Sequence, residues 1–202
     1  MRCPFCQAPL EETQASCGGC GISLERMDPR LGPAPPVSSG LADLAGILSA
    51  KDCRRIRREL REIEIVFQQL HVSVATVDGV PEGVNLSAYT FWLFNRSDIV
   101  RQFDTDGRNY DILFTIDSRS RHAALIIGYG LEPFVGKHHL TEVLASGHSH
   151  LVVDGYAAAI LTMLDTLRTL LREIAAGIPA AFALAPAPVV EAKSMTEAAL
   201  DF

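Results

Sequence analysis

Four of the five cysteines lie in the first twenty residues, as Cys3-Pro4-Phe5-Cys6 and Cys17-Gly18-Gly19-Cys20. Two such pairs this close together leave the segment few ways to fold. Each pair can turn tightly enough to aim two sulfurs the same way, and four thiolates make the closed tetrahedral set of structural zinc. Pro4 presets φ in the first turn, while Gly18, Gly19 and Gly21 allow positive φ in and after the second. A stretch of this length has almost no apolar core, so the metal must supply its folding energy. Redox pairs or disulfides are the competing reading, but no βαβ pattern flanks the cysteines. Cys53 stands apart, early in an expected helix, and reads as a small core residue.

The 202-residue chain as a whole is 48% apolar and 21% charged, an ordinary globular mixture that suits one domain plus a small appendage. Its net charge of −6 argues against a general nucleic-acid binder. The first residues have no apolar signal region, and no run reaches the length of a membrane helix. The best candidate, Ile178 to Val190, is short, carries Pro179, Pro186 and Pro188, and reads as a tether. The expected compartment is cytoplasmic, where thiols stay reduced and paired cysteines favour metal.

Residues 26–40 hold four prolines, two glycines and two serines and read as a partly stiff linker that lets the zinc module move semi-independently. Ser49 can cap a helix over 50–70, with Ile56, Leu60, Ile63, Phe67 and Leu70 on one face. His71 to Val77 is β-branched and predicts a strand. Asn85 or Ser87 can open a helix to Arg96, carrying Phe91, Trp92 and Phe94. Asp111 to Asp117 and Ala123 to Ile127 predict a hairpin turning at Ser118-Arg119-Ser120. Helices follow near 135–145 and 156–176, and residues 177–202 read as an Ala/Pro-rich, disordered tail. A β–α–β crossover makes the first two strands parallel. The fold class is α/β: a three-layer α/β/α sandwich with a small mixed sheet, after the N-terminal zinc module.

Several motifs along this domain resemble the TPM domain family. Leu41 to Ser49 looks like its opening motif, and Phe94-Asn95-Arg96 like the end of its second helix. Asp117-Ser118-Arg119 resembles its D-D-R turn, and Asp154-Gly155-Tyr156 the opening of its last helix. Gly128-Tyr129-Gly130-Leu131-Glu132 matches its GYGLE motif. The resemblance spans residues 41–176, and residues 1–25 resemble a zinc ribbon of the rubredoxin-knuckle type. It implies acid phosphatase activity or calcium binding, both attached to the family. Ser118 replaces the usual second Asp of the turn, and Asn109-Tyr110-Asp111 replaces the usual Asn-Gly before the strand.

The topology gathers Asp43, Asp78, Glu82, Asp117 and Arg119 at the strand carboxyl ends, where ligands of open α/β sheets bind. Asp43, Asp78 and Asp117 could hold calcium or magnesium, Arg119 could meet a phosphate, and Asp117 could be a nucleophile. A helix cap and a turn residue are the plainer jobs for Asp43 and Asp117. A second acidic group, Asp104, Asp106, Asp111 and Glu132, lies at the other end and reads as a solvated loop. Gly128 and Gly130 read as backbone accommodation, because no phosphate motif surrounds them. His138, His139, His148 and His150 could bind zinc or copper, but their spacing fits no standard site and they read as exposed histidines. Arg54, Arg55, Arg57, Arg58 and Arg61 interleave with glutamates and read as a solvated face, with a docking surface for an acidic partner as the alternative. Two functions compete: a non-catalytic adaptor binding a protein partner or an ion, and a metal-assisted phosphatase using Asp43, Asp117 and Arg119. The adaptor is favoured, since the sequence shows no Ser/His or Cys/His catalytic motif.

Overall fold

The computed structural model describes residues 3–10, 14–37, 40–98 and 109–181, with side chains through 177. Asp104, Asp106 and residues 182–202 lie outside the described residues. The element order is α1 (Leu24–Leu31), β1 (Leu41–Asp43), α2 (Ala50–Val66), β2 (His71–Val77), α3 (Leu86–Arg96), β3 (Asp111–Asp117), β4 (His122–Ile127), α4 (Lys137–Val152) and α5 (Tyr156–Ala181).

The sheet has four strands in the order β1-β2-β3-β4. β1 and β3 both run parallel to β2, and β4 runs antiparallel to β3. Every residue of β3 is buried, as a central strand covered on both faces requires. On one face α2, α4 and α5 pack over Val72, Val74, Ile112, Phe114 and Ile116. On the other, α3 and Met27 of α1 pack over Ala75 and Leu113. The three-layer mixed sandwich expected from the sequence is the observed architecture.

Ser49 caps α2 by accepting from the Asp52 amide, and Ile56, Leu60 and Ile63 form its buried stripe. The helix stops at Val66, short of the expected 70, because the chain must turn to enter β2 at His71. Asn85, the first of the two expected caps, opens α3 through the Ala88 amide. Cys53 packs against the main core.

Helix α4 runs to Val152, past the expected 145, and two further elements are absent from the sequence reading. β1 is only three residues long, too short to show a period, and is held by its pairing with Val74, Ala75 and Thr76. The stretch read as a linker contains most of α1, which keeps Pro29 inside a helix held by contacts with α3. Ser23 caps it, Gly32 ends it at φ 74°, and Met27 is 5% exposed against α3. Asp28 then accepts from Trp92 Nε1 at 2.9 Å and from Arg96 Nε at 3.0 Å. The four-cysteine module is therefore joined to the domain through a helix docked on α3.

Candidate functional site

The two CxxC turns share one hydrogen-bond pattern. Cys3 N donates to Ala8 O at 2.8 Å, and Cys17 N donates to Ile22 O at 2.9 Å. Gln7 N returns to Cys3 O, and Gly21 N returns to Cys17 O. Gln7 and Gly21 hold the matching left-handed positions, at φ 64° and 69°. This pseudo-symmetry brings Cys3 Sγ to 3.7 Å from Cys20 Sγ, and Cys6 Sγ to 3.6 Å from Cys17 Sγ.

All four sulfurs lie within 4.8 Å of one another. Tetrahedral ligands about 2.3 Å from zinc would stand about 3.8 Å apart, whereas a disulfide needs about 2.05 Å. The donor set therefore fits a structural zinc site, and all five cysteines are free thiols. The crowded sulfurs perturb one another's ionisation. Amides of Cys20 and Gly19 pull the Cys17 thiol down to about 6. At Cys20 the Ile22 amide lowers the pKa, but burial and the neighbouring sulfurs outweigh it and push the thiol up to about 12. Four thiolates cannot coexist here unless a cation offsets their repulsion.

The carboxylates at the sheet edge are engaged otherwise. Asp43 accepts from Thr76 Oγ1 at 2.5 Å and from the Ile47 and Leu48 amides at 3.2 and 3.0 Å, fixing the turn into α2. Asp117, only 3% exposed, accepts from Gly79 N, Arg119 N and Ser120 Oγ. Asp78 is exposed and pairs with Arg119 at 3.2 Å. Glu82 contributes its carbonyl to Arg30. The edge thus carries the expected residues, but among the described residues the four cysteines are the one cluster with metal-ligand spacing.

The remaining motifs have local explanations. A Cβ on Gly128 would strike the Asn109 carbonyl, and one on Gly130 would lie 2.6 Å from Tyr110 Cε1. The GYGLE glycines therefore permit close approach to the start of β3, and neither has positive φ. His139 Nδ1 accepts from the Gly136 amide at 3.1 Å and caps α4, which withdraws that nitrogen from metal binding. The sequence reading missed a Glu64–His71–Ser73 chain, with Glu64 Oε1 at 2.7 Å from His71 Nδ1 and Ser73 Oγ at 3.4 Å from Nε2. The i, i+2 spacing of His71 and Ser73 on a strand was its only signal. Ser73 is 0% exposed, so its hydroxyl has no access to a substrate.

A cleft of about 500 Å³ lies between the knuckles and the domain. Pro4 and Gln7 form one wall, Phe91 and Phe94 of α3 another, and β4 with Gly128, Tyr129 and Glu132 the floor and far side. β4 is an edge strand. Its even-numbered residues bond to β3, as the Gly128 N to Asp111 O bond continues, so Leu125 and Ile127 turn their backbone groups outward. No helix among the described residues is long and apolar enough to cross a membrane.

A mixed four-strand sheet with flanking helices and an N-terminal four-cysteine cluster defines the class. The TPM domain profile matches residues 41–170, and the chain belongs to the TPM domain family. Solved structures share the fold. The N-terminal domain of a protein from P. gingivalis, solved by NMR, aligns with TM-score 0.57 at 18% identity, covering 68% of this chain and 84% of that one. The N-terminal domain of the cg2496 protein from Corynebacterium glutamicum gives 0.51 at 13%, covering 64% and 78%. The BA42 protein from Bizionia argentinensis gives 0.53 at 9%, covering 63% and 83%. No curated protein matches the chain.

Proposed function

We propose that this TPM domain protein is a non-catalytic adaptor whose zinc-folded knuckle pair and domain together grip an extended segment of a protein partner. The observation that carries this reading is the shared cleft: Pro4 and Gln7 from the knuckles face Tyr129 and the open edge of β4. An extended chain laid along Leu125 and Ile127 would satisfy their outward backbone groups, and Phe91 and Phe94 offer apolar contact. Zinc at Cys3, Cys6, Cys17 and Cys20 has a structural role here, since it fixes the wall that carries Pro4.

The test is a photocrosslinking residue placed at Tyr129 and, separately, at the remote exposed Val152. Support would be a partner captured from position 129 alone, lost in Cys17→Ser, that protects the Leu125 and Ile127 amides from exchange. Equal capture from both positions, or no amide protection, overturns the reading.

The second reading is a metal-assisted phosphatase at Asp43, Asp117 and Arg119 with calcium or magnesium. The observation favouring it is the exposure of Arg119, whose side chain is 71% accessible at the strand carboxyl ends. Aryl phosphate hydrolysis that requires calcium or magnesium and disappears in Asp117→Asn would establish it, and turnover equal in both proteins would remove it.

A further inference from the structure

We propose that the outward face of α2 docks on an anionic lipid surface. Lys51, Arg54, Arg58, Arg61 and Ile65 recur at intervals of three, four, three and four residues, so they form one ridge along the helix. Arg55 and Arg57 flank it. All six cations are exposed, and they alone line one shallow concavity. The opposite face, Ile56, Leu60 and Ile63, is buried in the core, which fixes the ridge outward.

The charges on this ridge are largely unneutralised. Arg55 reaches Asp52 at 4.0 Å, and Arg58 reaches Glu59 and Glu62 at 3.6 and 3.7 Å. Glu59 and Glu62 are also drawn to Arg168 of α5. Lys51, Arg54, Arg57 and Arg61 form no ion pair with any described residue. Like charges four apart, as Arg54 and Arg58 or Arg57 and Arg61, destabilise a helix. Such a cluster in a chain of net charge −6 is complementary to an anionic surface, and the opposite charge elsewhere orients the molecule toward it.

The apolar end of the same ridge selects the partner. Ile65, one turn beyond Arg61 on the ridge, is 72% exposed, and Val66 at its flank is 53% exposed. A lipid surface satisfies both parts: phosphate headgroups meet the guanidinium forks, and the two aliphatic side chains enter the acyl boundary. A nucleic acid would leave Ile65 and Val66 without apolar contact. A second copy through this face would oppose arginine with arginine. The proposal does not depend on the zinc module or on the cleft beside β4.

The experiment is co-sedimentation of the full chain with vesicles of phosphatidylcholine, alone or mixed with phosphatidylglycerol. Binding is expected only to the mixed vesicles and is expected to fall steeply with salt. Each arginine at an anionic surface is worth about fivefold, so Arg54→Gln/Arg57→Gln/Arg61→Gln should bind about a hundredfold more weakly. Ile65→Ser should bind more weakly with an unchanged salt dependence. All four positions are exposed, so unchanged melting temperatures would show that the variants are folded. Cys17→Ser should bind vesicles like the unaltered chain, which separates this proposal from the adaptor reading. Equal binding to neutral vesicles, no loss in the triple variant, or retention on polyglutamate or duplex DNA without retention on vesicles would overturn the proposal.

Discussion

Arg121 and Asp154 clasp each other in a two-point ion pair, Nε to Oδ1 at 2.8 Å and the second nitrogen to Oδ2 at 2.9 Å. Both residues sit in the left-handed region, at φ 58° and 59°. The pair ties the β3–β4 turn to the α4–α5 turn. Tyr156 completes the clasp by donating within reach of Ser118 O at 2.9 Å and Asp154 Oδ1 at 2.7 Å. Arg121 first, and Tyr156 second, hold the Asp154 carboxyl below the usual carboxylate range. A depressed carboxyl pKa contributes stability above the unfolded pKa, and that contribution is lost as pH falls through the folded value. Arg121→Ala should therefore lower the melting temperature at neutral pH, with the deficit shrinking as acid protonates Asp154. A deficit that stays constant down to strongly acid pH would exclude this linkage.

The Asp28 network ties α1, and with it the knuckles, to α3. Arg96 first, and then Trp92, hold its carboxyl below the ordinary value. Asp28→Ala would leave the indole N–H of Trp92, a side chain 1% exposed, without its acceptor. A buried unsatisfied donor of this kind costs about 1–3 kcal/mol. The expected result is a lower melting temperature together with faster amide exchange in Leu24–Leu31, while zinc content stays the same. Unchanged exchange in α1 would mean that Met27 packing alone holds the helix.

Much of this fold can be read from the sequence because its signals are periodic. The α2 stripe, the β-branched run of β2 and the apolar β3 each show a recurrence of their own. β1 cannot be read this way, since its three residues become a strand only by pairing with β2. α1 is hidden by Pro29, and the bonds that hold it come from Trp92 and Arg96, more than sixty residues later in the chain. At the site, cysteine spacing identifies the ligand set because local turns alone bring the sulfurs together. The spacing of Asp43 and Asp117 gives their shared edge but not the neighbouring amides and hydroxyls that occupy their carboxylates.

The two knuckles differ at one informative position. Gly21 takes φ 69° freely, whereas Gln7 takes φ 64° with a side chain. The left-handed conformation costs a residue with a Cβ about 1–2 kcal/mol. Gln7→Gly removes that strain but gives up the 3.3 Å bond from Gln7 Nε2 to Cys3 O and increases the freedom of the unfolded chain. The net expectation is slower zinc release to a competing chelator. Gly21→Ala should speed release, because its Cβ would also lie 2.7 Å from an Arg26 guanidinium nitrogen. Identical release rates for both variants would show that backbone strain does not limit metal retention.

Gly128→Ala and Gly130→Ala test whether the GYGLE glycines serve packing. At Gly128 the added carbon meets the Asn109 backbone, which cannot rotate away, while at Gly130 it meets the Tyr110 ring. Gly128→Ala should destabilise the fold more than Gly130→Ala, by an amount in the overpacking range of about 1–3 kcal/mol. Gly130→Ala combined with Tyr110→Ala should recover part of the loss in denaturant unfolding. Lack of any recovery would assign Gly130 a role other than making room for the ring.

Thr115 lies at the centre of β3, between Ala75 and Ala124 in register, and is 0% exposed. Its Oγ1 is buried with no hydrogen-bond partner among the described residues. A hydroxyl in that position has lost its hydration without compensation, which costs about 1–3 kcal/mol relative to a satisfied group. Valine keeps the branched shape and omits the hydroxyl, and its β-propensity suits a central strand. Thr115→Val is therefore expected to stabilise the protein by about 1 kcal/mol, which for a chain of this size raises the melting temperature by about 2–4 °C. Thr115→Ser is the informative opposite: it keeps the hydroxyl, removes the methyl group that fills the core, and should lower the melting temperature. If valine instead lowers it, the hydroxyl has a partner in solution, and a buried water beside the two alanines becomes the explanation to test.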